Sequence, residues 1–191
     1  SMAHPKNQDL FLEEVLSSQE KHFLWLKSLS YLEYIGYRKM VKSLSYDEIG
    51  KDAFQHLSDE IQHSFMLRRL ADDFRGARPC ASTELEKISS IAENYFQTLD
   101  SKIGEWTTNL SGSENHQLSY LWTSYIIEKR AMKVYPHYFS RLESSPLKTT
   151  IQKIIKDESE HLSYLENYID ELPKKYLNHS SDLFVLEDRF F

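Results

Sequence analysis

The five residues Asp59-Glu60-Ile61-Gln62-His63 recur in outline as Asp157-Glu158-Ser159-Glu160-His161, with the two Glu 98 positions apart. A carboxylate and an imidazole three residues apart look the same way on a helix. Each D-E-x-x-H copy therefore asks its segment to be a helix with a polar pair on one face. In a chain with eight His and this many Glu, roughly one bare E-x-x-H arises by chance. Two copies, each led by Asp, are harder to attribute to chance. The fold has to give both polar pairs a common partner.

Long helices are also what the rest of the chain favours, since five Gly and five Pro in 191 residues leave little turn material. Leu10, Leu24, Leu32, Ile35 and Val41 recur at helical spacing from Asp9 to about Leu44, with no internal Pro. Ser45 with Glu48 is a capping box and predicts a second helix to about Phe74, which Gly76 and Pro79 break. Thr83 with Glu86 opens a third helix, to about Trp106. Ser111 with Glu114 opens a fourth, to about Leu142, with a kink at Pro136. Ser145-Pro146 begins a fifth, which Pro173 stops. The tail, residues 174–191, ends in the aromatic segment FVLEDRFF, expected to pack on the body. Strand signals are absent, so the expected fold is all-α.

Hairpin register supplies the partners. Glu60 lies 15 residues beyond the turn at Ser45 and Glu33 lies 12 before it; Glu158 lies 13 beyond Ser145 and Glu128 lies 17 before it. At about 1.5 Å per residue these mismatches amount to about one helical turn or less. Each hairpin thus sets a lone Glu level with an E-x-x-H. Both lone Glu lie among apolar neighbours, Leu32 and Ile35 in one case and Ile126 and Ile127 in the other. A carboxylate buried there needs compensating charge, which two metal cations would supply.

One Glu from each of two helices and a Glu-x-x-His from each of two others is the ligand pattern of the ferritin-like di-iron carboxylate proteins, and this sequence resembles that superfamily over residues 9–172. The residues that carry the resemblance are Glu33, EIQH at 60–63, Glu128 and ESEH at 158–161. It implies a single ferritin-like domain over 1–191: a four-helix bundle of hairpins 9–75 and 114–172, a crossover helix within 76–113, and a tail at 173–191. It implies two irons, or manganese at one or both positions, held by Glu33, Glu60, His63, Glu128, Glu158 and His161, with Glu60 and Glu158 as candidates to bridge. The leading Asp resembles the oxygen-activating branch, the bacterial hydroxylases and acyl-carrier-protein desaturases. There it implies that Asp59 orients His161 and Asp157 orients His63; a helix-surface role for both Asp is the alternative. The activity implied is an oxidase or hydroxylase that uses dioxygen on an organic substrate, drawing electrons from a separate donor. A homodimer is possible. The alternatives are a ferroxidase or iron-storage subunit and a metal-free helical interaction module.

Other residues were weighed against plain structural roles. His56 lies one turn before Glu60 and could be an extra ligand or proton relay, but a polar helix residue is the simpler reading. Tyr37, one turn after Glu33, could hydrogen-bond a ligand or carry an oxidising equivalent, though core packing explains it more simply. Gly36 and Ala131 each follow a lone Glu by three residues and either leave room beside the metals or allow close helix packing. A net charge of −6 argues against nucleic acid. The single Cys80 excludes a C-x-x-C site and an attached rubredoxin module, and no H-E-x-x-H, phosphate-binding Gly-rich loop or G-x-S-x-G occurs. No membrane-length apolar run or signal-like opening is present, so a cytoplasmic protein is expected.

Overall fold

Ser17 and Ser18 divide what apolar periodicity joins. In the computed structural model, which describes residues 5–75, 82–112, 116–143 and 145–174, α1 spans Pro5–Leu16 and α2 spans Gln19–Ser43. Ser18 takes an extended backbone and its hydroxyl accepts a hydrogen bond from the Lys21 N–H at 3.2 Å. The single helix expected from Asp9 to Leu44 is therefore two. A cap between two stretches of the same period leaves no mark on the period.

The other boundaries shift for similarly local reasons. The Ser45 N–H donates to Glu48 Oε2 at 3.0 Å, but the box closes only a 3₁₀ turn over Tyr46–Glu48. Helix α3 starts after Gly50 and spans Lys51–Arg75. Helix α4 spans Ser82–Ser111, so Ser111 ends this helix instead of opening the next. The chain leaves it through Gly112, whose φ of +78° suits a residue without Cβ. Helix α5 spans His116–Ser140 and runs through Pro136, which leaves the Met132 carbonyl without its usual helical donor. Helix α6 spans Ser145–Asp170. Glu114, Gly76, Pro79 and the aromatic tail segment lie outside the described residues. Among the described residues there is no strand, and no helix is long and apolar enough to cross a membrane.

Helix α2 lies along α3 and α5 along α6, while α3 also meets α6 and α2 meets α5. Helix α4 packs on α2 and α5, and α1 packs on α2. Apolar side chains fill the space in layers. Leu26, Leu29, Leu67, Tyr138, Ile151 and Ile154 belong to one cluster; Met40, Leu57 and Tyr120 form another, and Trp122, Ile126 and Ile169 belong to a third with α4. Each fully buried aliphatic side chain contributes about 1.5–3 kcal/mol. In sequence, Glu33 falls between Leu29 and Met40 of these layers, and Glu60 and His63 between Leu57 and Leu67.

Two serines fix the register of the first pair at that level. Ser30 Oγ donates to the Ser64 carbonyl at 2.7 Å, and Ser64 Oγ donates to the Ser30 carbonyl at 2.8 Å. Small side chains allow the close approach, and the reciprocal bonds set Glu33 of α2 against Glu60 and His63 of α3.

Candidate metal centre

Four helices converge their polar residues on one buried volume. Helix α2 contributes Glu33, α3 contributes His56, Glu60 and His63, α5 contributes Glu128, and α6 contributes Glu158 and His161; all seven are buried. They form two groups able to hold a metal ion, in each of which four ligand atoms lie within 4.8 Å of one another. One group is Glu33, Glu60, His63 and Glu158; the other is His56, Glu60, Glu128 and His161. Glu60 belongs to both.

The imidazoles are aimed by groups outside the cluster. His63 Nε2 lies 2.9 Å from Asp157 Oδ2 on α6, and His161 Nε2 lies 2.7 Å from Asp59 Oδ2 on α3. A carboxylate only accepts, so each Nε2 carries the proton and a neutral ring turns its lone pair inward at Nδ1. These are the two cross-helix pairs that the family resemblance named. The Asp are themselves braced: Gln55 Nε2 donates to Asp59 Oδ1 at 2.8 Å, and Lys153 Nζ donates to Asp157 Oδ2 at 2.5 Å. Burial opposes ionisation of Asp157, but the hydrogen bonds from His63 and Lys153 prevail and hold its pKa at about 2.

Five of the inward atoms lack a hydrogen-bond partner. Glu60 Oε1, His63 Nδ1, Glu128 Oε2, Glu158 Oε1 and His161 Nδ1 are all buried without a hydrogen bond. Buried polar atoms are ordinarily paired, so five orphans in one volume call for a common partner. His63 Nδ1 and Glu158 Oε1 are only 2.8 Å apart, yet they are not aligned as donor and acceptor. Two ligands of one ion, each about 2.1 Å from it at right angles, would lie about 3 Å apart. Glu158 Oε1 is also 3.7 Å from His161 Nδ1, and Glu60 Oε1 is 3.3 Å from His161 Nδ1 and 4.0 Å from His63 Nδ1. Both carboxylates thus lie between the two imidazoles.

Electrostatics point the same way. Burial disfavours an imidazolium at His56, His63 and His161, yet the adjoining carboxylates override it and raise their pKa values to about 10, 10 and 11. Burial and the repulsion of Glu60 raise Glu33 to about 7. Burial disfavours the charge of Glu60 and Glu128, and Glu128 also repels that of Glu60, but the adjoining imidazoles of His161 and His56 keep both below the usual carboxylate range. A volume that draws protons onto three buried imidazoles is one that attracts cations. Four carboxylates would balance two divalent ions, and mixed oxygen and imidazole donors make a metal-ligating set.

His56 reads differently from the structure than from spacing. His56 is completely buried, with Nε2 2.7 Å from Glu128 Oε1 and 3.6 Å from Glu60 Oε1. Its Nδ1 faces the hydroxyls of Tyr164 at 2.7 Å and Tyr120 at 3.1 Å. It is a member of the cluster and not a plain polar helix residue. The sequence signal was there in His56, Glu60 and His63, which form a single stripe at i, i+4 and i+7. Tyr37 packs against Met40, Leu57 and Tyr120, the simpler of its two readings. The phenol that reaches a cluster carboxylate is Tyr135, whose hydroxyl donates to Glu33 Oε1 at 2.5 Å. Burial and the neighbouring Glu33 raise that phenol well above its ordinary pKa, so it stays a donor. Gly36 faces Glu60: a Cβ there would lie 3.9 Å from Glu60 Oε2, which leaves space for little more than a methyl.

No protein-family model, curated protein or solved structure matches the chain.

Proposed function

We propose that the chain is a ferritin-like di-iron carboxylate oxidoreductase. In this reading α2, α3, α5 and α6 form the four-helix bundle, α4 is the crossover, and the metal ligands are Glu33, Glu60, His63, Glu128, Glu158 and His161, joined by His56. The observation that carries it is Glu60, shared by two buried donor groups that together hold five polar atoms without a hydrogen bond. When bound, two irons supply the redox capacity to activate dioxygen and oxidise or hydroxylate an organic substrate.

The residues of the chain have separate tasks in this scheme. Glu60 would serve both ions, and Glu158, whose Oε1 lies between the imidazoles of His63 and His161, would be the second candidate to do so. Asp157 and Asp59 hold His63 and His161 in the tautomer that offers Nδ1, which raises ligand basicity and restricts ring rotation. Tyr135 pins one oxygen of Glu33 and leaves the other free. The apolar layers on either side keep water from the polar layer, which strengthens every interaction inside it. In this reading an external donor supplies the electrons.

Anaerobic loading with ferrous iron, followed by a pulse of aerated buffer in an oxygen electrode, tests the proposal. Dioxygen uptake should scale with bound iron and be lost in Glu60→Ala. Iron-loaded protein that takes up no dioxygen would refute it. Uptake by a large hollow shell that accumulates a mineral core would assign the chain to iron storage instead.

A further inference from the structure

On the side of Glu33 and Glu60 the helices leave a cavity of about 160 Å³. Its wall is apolar, formed chiefly by Leu12 of α1, Trp25 and Leu29 of α2, and Ile127, Ala131 and Val134 of α5. Ala131 follows Glu128 by one turn, and its small side chain keeps the wall open there. At the inner end lie Glu33, Glu60 and Tyr135, all buried. Trp25 adds a polar point to the wall. Its ring meets Phe11 and Tyr138 edge-on, but its indole N–H is buried and has no hydrogen-bond acceptor among the described residues. A buried donor is ordinarily paired, so this one calls for an acceptor.

The charged groups around the cavity are already engaged. At the mouth His137 Nε2 lies 3.0 Å from Asp9 Oδ1, which also accepts from Arg141 Nη2 at 2.8 Å. Arg130 has a partner within the chain, and the exposed Lys133 ammonium is hydrated. At the inner end Glu33 Oε1 accepts from the Tyr135 hydroxyl at 2.5 Å, and Glu60 Oε1 lies 3.3 Å from His161 Nδ1. An ionised ligand of either sign would leave water for an apolar wall without gaining a countercharge, which is unfavourable. A neutral ligand loses little hydration, and one acceptor atom on it finds a partner in the Trp25 N–H. Size sets the other limit, since an apolar cavity of about 150 Å³ holds one benzene molecule.

We propose that this cavity binds one compact neutral molecule, a single ring with a short substituent whose acceptor oxygen takes the Trp25 N–H. Simple aryl ketones meet all three conditions of size, neutrality and one acceptor. As a binding site the cavity stands by itself; as the substrate class of the oxidoreductase it rests on the reading of the metal centre given above.

Isothermal titration of the full chain with acetophenone, ethylbenzene, benzoate and benzylamine, four molecules of similar size, tests the assignment. The chain is first loaded anaerobically with ferrous iron, and metal content is measured on the same preparation. Acetophenone should bind once per chain, at least tenfold tighter than benzoate or benzylamine. Trp25→Phe keeps an aromatic ring and removes the N–H, so it should weaken acetophenone about fivefold and leave ethylbenzene unaltered. Ala131→Leu should fill part of the cavity and weaken both neutral ligands at least tenfold. Benzoate or benzylamine binding as tightly as acetophenone would overturn the proposal, and so would a Trp25→Phe chain that treats the two neutral ligands as the parent does. Both comparisons decide even if the Ala131 variant fails to fold; undiminished binding by a folded Ala131→Leu chain would also overturn the proposal. Two bound metals without acetophenone binding would refute the cavity and spare the metal centre. Acetophenone binding by a chain that takes up no metal would refute the centre and leave a site for neutral aryl ligands.

Discussion

At His56 a fully buried imidazole gives the second donor group two nitrogens and two carboxylates, against one nitrogen and three carboxylates in the first. The two positions are therefore chemically unequal. His56→Leu should cost the second position its metal while the first keeps it, whereas Glu60→Ala should empty both; metal analysis of purified variants decides. The carboxylate-rich position should favour manganese and the imidazole-rich one iron when both are supplied, a difference that anomalous scattering at the two absorption edges would read. Asp157→Ala should weaken metal binding 10- to 100-fold by freeing the His63 ring, with helicity unchanged by circular dichroism. A pH effect follows from the same groups in metal-free protein. His63 and His161 have folded pKa values of about 10 and 11, against about 6.5 when unfolded. Their contribution to stability is complete below about pH 6.5 and is lost as pH rises through 10 and 11. Asp157, at about 2, contributes above its unfolded value and loses that contribution as pH falls toward 2. The thermal midpoint of metal-free protein should therefore decline on both sides of neutrality, and metal should flatten the alkaline decline.

Among the elements, the cap of α2 and the serine pair between α2 and α3 hold the first hairpin in register. Ser18→Ala should cost about 1 kcal/mol by removing the cap, and Ser64→Ala about 1 kcal/mol by removing one reciprocal bond. Urea titration would show both, and only Ser64→Ala should also lower metal affinity, because it loosens the register that sets Glu33 against Glu60. Element boundaries were legible where a signal is local and unopposed, as at Ser145-Pro146 of α6. They were not legible where two signals compete. The Ser45–Glu48 box forms but closes a 3₁₀ turn because Gly50 follows, and Ser111 carries a cap signature yet completes α4 before Gly112 turns the chain.

Over the whole molecule, the all-helical fold could be read from scarce Gly and Pro, and the polar cluster from two E-x-x-H pairs set level with two lone Glu. Those patterns are local or depend on simple helix length. What was hidden depends on contacts between helices far apart in sequence. His56 shares a stripe with Glu60 and His63, but its contacts with Glu128, Tyr120 and Tyr164 decide its place in the cluster, and Tyr135 stands out among twelve Tyr only because α5 brings it to Glu33. The central claim is that one shared carboxylate joins two buried donor groups into a two-metal centre. Its most direct test is the metal content per chain after anaerobic loading with ferrous iron and removal of excess, beside Glu60→Ala. Two irons per chain are expected, and none in the variant, with both proteins equally helical. Folded wild-type protein that retains no iron, or a Glu60→Ala chain that still holds two, would contradict it.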